Sequence, residues 1–174
     1  MLRYLLFFVF GVFFRVSSPA QQAREYSFKH FSVTSGLAAN TVGAIAQDDD
    51  GYIWIATTNG LQRYDGNSFI TFKAQEHNPS AIPSNHIAGL YKDRQNNLWL
   101  IADNNKVGIF DTRKFVFKEV SIAIDKRKYY IPQQISELPG GELLLHKSDG
   151  NIYQYNSRKN AFLPANNLFS LPPK

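Results

Sequence analysis

With 174 residues, of which 44% are hydrophobic, 14% aromatic and 19% charged, the chain has the make-up of one ordinary β-rich or mixed domain, or part of one, and not of a disordered tract or a fibre. Lys and Arg number 19 against 14 Asp and Glu, but the excess is scattered and its one dense run, Asp125 to Lys128, carries its own acid and reads as a solvated loop, so nucleic acid is not an expected partner. The absence of Cys excludes a disulfide framework, a thiolate zinc site, a Cys nucleophile and a lipoprotein anchor.

The chain opens like an export signal. Arg3 precedes an unbroken apolar run from Leu5 to Phe14, and Ser18 and Ala20 are small residues where a signal peptidase reads, so residues 1–20 are expected to be a signal peptide cleaved after Ala20. A run of ten apolar residues is half of what a spanning helix needs. The mature product is expected in a periplasm or outside the cell. Next, Tyr26 to Val33 reads as a lone strand and Thr34 to Leu37 as a turn, making residues 21–39 a separate leading segment.

From Asn40 the chain repeats itself. Trp54 and Trp99 are 45 residues apart, as are Trp99 and Leu144, while Tyr64, Phe110 and Tyr155 follow at 46 and 45. The first unit divides into four β-favouring runs, Thr41 to Gln47, Tyr52 to Thr58, Leu61 to Tyr64 and Ser68 to Lys73. Asp-Gly and Asn-Gly turns separate them, the residues that tolerate positive φ in tight hairpins. Four-stranded antiparallel units of this length in tandem indicate a β-propeller. The expected fold is all-β, an incomplete propeller of about three blades, with repeats over residues 40–82, 83–130 and, in degenerate form with the tail, 131–174. Trp54, Tyr64, Trp99, Phe110, Leu144 and Tyr155 are its expected structural core. Three blades are fewer than the four to eight that close a ring, and the tail from Leu168 to Lys174 does not read as a domain ending, so a longer parent protein is expected.

The leader, Ser35-Gly36-Leu37, the run from Gln47-Asp48 through Gly51-Tyr52-Ile53-Trp54-Ile55-Ala56-Thr57, and Asn59-Gly60-Leu61-Gln62-Arg63-Tyr64-Asp65-Gly66 together resemble the two-component regulator propeller repeat. The second unit keeps Leu98-Trp99-Leu100 but loses the Gly-Leu and the Arg, and the third keeps only spacing and hydrophobicity. The resemblance implies the periplasmic sensor region of a hybrid two-component histidine kinase. Its propellers would sense a ligand, often a carbohydrate breakdown product, and signal through a membrane helix to a kinase. The kinase itself has no counterpart in these residues, so no enzymatic activity is expected of this chain.

Asp48-Asp49-Asp50-Gly51 lacks the alternating carboxylates and distal Glu of a calcium loop and reads as a turn. His30, His77, His86 and His146 have no metal-ligand spacing, and no cofactor is expected. If the chain binds a small molecule or oligosaccharide, propeller analogy puts it over one face of the ring, at the turns leading into each first strand and joining second to third strands. Asn40, Thr41, Asn59, Asn85, His86, Asp103, Asn104 and Asp149 are the polar candidates there. The other expected partner is the remaining blades of the same receptor. An exported propeller that binds proteins without signalling is the competing function class, and a propeller hydrolase or lyase the third.

Overall fold

The computed structural model describes residues 26–123 and 131–165. The expected signal peptide, the basic run Asp125 to Lys128 and the tail from Leu168 lie outside the described residues. The chain divides after His30. Of the first unit, residues 26–30 are exposed and without regular secondary structure.

In the second unit twelve strands follow one another: β1 (Val42–Gln47), β2 (Ile53–Thr57), β3 (Gly60–Tyr64), β4 (Phe69–Phe72), β5 (Ile87–Lys92), β6 (Leu98–Ala102), β7 (Val107–Asp111), β8 (Val116–Ile122), β9 (Pro132–Glu137), β10 (Leu143–Lys147), β11 (Ile152–Asn156) and β12 (Ala161–Pro164). They form three antiparallel meanders, β1 to β4, β5 to β8 and β9 to β12. Each first strand lies next to that of the following meander: a Cβ on Gly43 of β1 would meet the Ala88 carbonyl of β5 at 3.0 Å. The turns recur at the 45-residue period. Gly51, Asn96 and Gly141 take positive φ between first and second strands, and Gly60, which opens β3, does so with Asn105 and Gly150 where second strands turn into third.

Cross-strand partners share a face, which fixes what each sheet presents to the next. Trp54, Ala56 and Leu61 of the first sheet meet Leu98, Leu100, Ala102 and Phe110 of the second. Trp99, Ile101 and Val107 on the second sheet's other face meet Leu143, Leu145 and Tyr153 of the third. Trp54 and Trp99 are 0% and 1% exposed, and each sets its indole edge to face against an aromatic ring of the following sheet, Phe110 at 5.5 Å and Tyr155 at 4.9 Å. Phe110 and Leu144 are buried; Tyr64 and Tyr155 are half-buried.

Two features differ from the sequence reading. The stretch from Tyr26 to Val33 is not a strand: residues 26–32 have no regular structure and Val33–Ser35 form a 3-10 turn. Its hydroxyl side chains compete with a ladder for the main chain. Ser35 Oγ accepts from the Ser32 N–H at 2.7 Å, and the Leu37 N–H donates back to the Ser32 carbonyl at 3.0 Å. Residues 31–38 cover the first sheet's free face instead, with Leu37 buried and the Phe31 ring against Tyr64 and Phe69. The second and third meanders are also joined into one eight-stranded sheet, because β12 pairs parallel to β8 through Ala161 with Ser121 and Phe162 with Ile122. At seven residues β8 outlasts its hairpin partner β7, and its last residues reach the neighbouring edge strand.

Candidate functional site

The eight polar candidates fall at one end of the strands. Asn40 and Thr41 lead into β1, Asn85 and His86 into β5; Asn59, Asp103 with Asn104, and Asp149 occupy the turns between second and third strands. One hydrogen bond recurs here in all three sheets. The N–H of Thr58 donates to the Thr41 carbonyl (3.3 Å), that of Asp103 to His86 (3.2 Å) and that of Ser148 to Ile131 (3.0 Å), tying each second-to-third turn to the start of its first strand.

Most of the candidate side chains are engaged with the protein's own backbone and turns. Asn40 Oδ1 accepts from the Val33 N–H at 3.0 Å, and Asn85 Oδ1 from the Ala74 N–H at 2.8 Å. Asn59 Nδ2 donates to the Ala38 carbonyl at 3.0 Å and Asn104 Nδ2 to the Pro83 carbonyl at 2.9 Å. The Lys73 ammonium caps Asn59 at both its carbonyl and Oδ1. Asp149 closes its turn on Asn151, accepting from its N–H at 3.1 Å and from its side-chain amide. Thr41 is exposed. His86 and Asp103 are brought together across the rim, Nδ1 3.4 Å from Oδ2, with 47% and 45% of their side chains exposed. This pair presents an imidazole and a carboxylate to solvent, able to donate to and accept from hydroxyl groups.

The opposite end is built for packing. The Asp48 carboxylate accepts from the Trp54 indole N–H at 2.7 Å and the Tyr52 N–H at 2.9 Å. Asp93 does the same for Trp99 at 2.8 Å and the Asn97 N–H at 2.7 Å. The aspartates hold the core tryptophans and close the turns. Among the described residues no group of three His, Asp, Glu or Cys side chains is placed to hold a metal ion.

Sequence reasoning missed a cleft of about 480 Å³ along the first strands, lined by Gly43, Ala88, Gly89, Tyr91, Gln133 and Gln134 among others. Its signal in the sequence is the small side chains of β1 and β5, Gly43, Ala44, Ala88 and Gly89, which line it.

Residues 36–59 match the family model of the two-component regulator propeller. Histidine kinase P4 of Formosa agariphila is 37% identical over 67 residues, which are 38% of this chain and 5% of that protein. The extracellular domain of a hybrid two-component system from B. thetaiotaomicron superposes with a TM-score of 0.69 at 21% identity, over 85% of this chain and 22% of that one. A second such domain from the same organism gives 0.63 at 19% identity, over 81% and 21%. The chain thus spans about a fifth of the solved domains it matches. Among the described residues no helix is long and apolar enough to cross a membrane. Residues 36–59 are thus similar to a two-component regulator propeller repeat, and the three meanders share the fold of an arc of a β-propeller.

Proposed function

We propose that this chain is a ligand-sensing, non-catalytic segment of a two-component receptor, exported through its N-terminal leader and working in the periplasm. The ligand is a small polar molecule, with an oligosaccharide as the leading class, bound over the rim where the first strands begin. The observation that carries the reading is the match of residues 36–59 to the two-component regulator propeller, together with a fold shared with extracellular domains of hybrid two-component systems. Support for the rim comes from His86 and Asp103, whose polar groups face solvent as a pair. Hydroxyl-rich ligands call for such mixed donors and acceptors.

The test is made in a full-length receptor carrying this segment, with a reporter for its output and a panel of oligosaccharides. His86→Ala combined with Asp103→Ala is expected to weaken the response while leaving the melting temperature in place. A response equal to wild type removes the rim from the site, and a loss of folding reassigns the two residues to capping. Mass spectrometry of the exported protein is expected to find an N-terminus at Gln21; an intact leader overturns the cleavage.

A further inference from the structure

Among the described residues, consecutive sheets are pinned by one ion pair at each joint, at the same repeat position and with its polarity reversed. At the first joint Asp49, in the β1–β2 turn, pairs with Lys92 at the end of β5, and the Asp49 N–H donates to Asn96 Oδ1 at 3.2 Å. At the second joint Arg94, in the β5–β6 turn, has Nε 3.5 Å from Glu137 Oε1 at the end of β9. Its N–H lies 3.3 Å from Glu137 Oε2 and its Nη1 donates to the Pro139 carbonyl at 2.7 Å. Asp49 and Arg94 are 45 residues apart, as are Lys92 and Glu137. The ladders place them identically: Asp49 and Arg94 each follow the aspartate that holds the core tryptophan, and Lys92 faces Leu98 as Glu137 faces Leu143. The turn is therefore the anion at the first joint and the cation at the second. The uncharged Gln47 and Pro139 take the corresponding places at the two outer faces.

We propose that this reversal is an addressing device that sets which sheet seats on which. Similar repeats invite misassembly and exchange between copies, and specificity against that requires a repulsive element as well as an attractive one. The charges supply it. Seating the first sheet directly on the third would bring Asp49 against Glu137. Seating a second sheet on the second sheet of another copy would bring Arg94 against Lys92. Only the native order, first on second and second on third, brings opposite charges together at both joints. The penalty for a wrong neighbour is sharpest at Glu137, whose side chain is 3% exposed, because a desolvated carboxylate facing a like charge has no solvent to screen it.

The decisive variant makes both joints carry the same polarity using the more exposed pair: Asp49→Lys with Lys92→Glu in the full chain. Native pairs stay attractive, but the wrong neighbours become attractive too. The expected result is a melting temperature close to wild type, with a loss of monomer and a gain of exchanged dimer when the unfolded chain is refolded at rising concentration and separated by size. A variant that also carries Arg94→Glu and Glu137→Lys, in which the polarity alternates again, is expected to recover the wild-type yield wherever it melts like wild type. Refolding of the uniform-polarity variant to wild-type distribution overturns the proposal. So does a melting temperature far below wild type in that variant, because a pair that works in one orientation alone is a local contact and not an exchangeable address.

Discussion

Asp48 and Trp54 hold each other in place, and the internal repeat supplies a control experiment. In the second sheet Asp93 and Trp99 make the same contact, while in the third the corresponding residues are Leu138 and Leu144. The carboxylate and the indole disappear together, because either alone would leave a buried polar group without its partner. Trp54→Ala is expected to cost about 3 to 5 kcal/mol as a large-to-small change in a close-packed core. Asp48→Ala is expected to cost about 2 to 4 kcal/mol, since it orphans the indole N–H and the Tyr52 N–H. Urea unfolding measures both, and Asp48→Leu with Trp54→Leu should cost less than the sum of the two alanine changes; strict additivity would mean the two side chains are not coupled. The tryptophan spacing was legible in the sequence. The role of the aspartates was not, because an Asp beside Asp-Gly is locally a turn former, and only the folded turn shows its carboxylate pointing inward.

At the scale of the element, the hairpins carry the repeat. Gly60 has φ of 119°, and a Cβ there would meet the Phe72 carbonyl at 2.6 Å, so Gly60→Ala is expected to destabilise by about 1 to 3 kcal/mol or more through strain and overlap together. A melting temperature equal to wild type would show that β4 can shift aside. The third-to-fourth hairpins are closed by a side-chain oxygen. Asp65 Oδ1 accepts from the Ser68 and Asn67 N–H groups, Asp111 Oδ1 from Lys114 and Arg113, and Asn156 Oδ1 from Lys159. Those N–H bonds, from Ser68 first and from Lys114 first, hold the two carboxyls below the ordinary value of 3.8. A carboxyl depressed on folding contributes stability that is present above its unfolded value and is lost as pH falls through its folded one. Acidification below 3.8 should therefore loosen both hairpins and leave the Asn156 hairpin unchanged. Asp111→Asn, which copies the third sheet, is expected to shrink the acid-induced drop in melting temperature; an unchanged drop would place the acid sensitivity elsewhere.

Across the whole molecule, the first sheet differs from the others in what covers its free face. Gln62 is 1% exposed and fully satisfied: Oε1 accepts from the Ala38 N–H at 2.8 Å, while Nε2 donates to the Gly36 carbonyl at 3.0 Å and Thr71 Oγ1 at 2.9 Å. Its counterparts in the ladder are Gly108 and Tyr153, which face a neighbouring sheet. An amide stands where the neighbour is a loop with unpaired backbone groups, and an apolar or absent side chain where it is a sheet. Gln62→Leu is expected to lower stability by about 1 to 3 kcal/mol and to abolish the hydrogen-exchange protection of the Ala38 amide. Retained protection would show that Leu37 alone seats the segment.

Period, turn chemistry and the strands of the first unit are properties of residues near one another in the chain, and these the sequence determined unaided: the first unit's four runs lie within a residue of β1 to β4, and the positive-φ positions recur at the expected turns. The pairing of β8 with β12, the clasp of Gln62 on residues 36–38 and the reversed ion pairs between sheets were decided only by tertiary structure. Each of these joins groups that periodicity leaves equivalent, such as three sheet faces or two charged turn residues. What separates them is which surface arrives opposite, a long-range choice made by burial and charge once the sheets stand side by side.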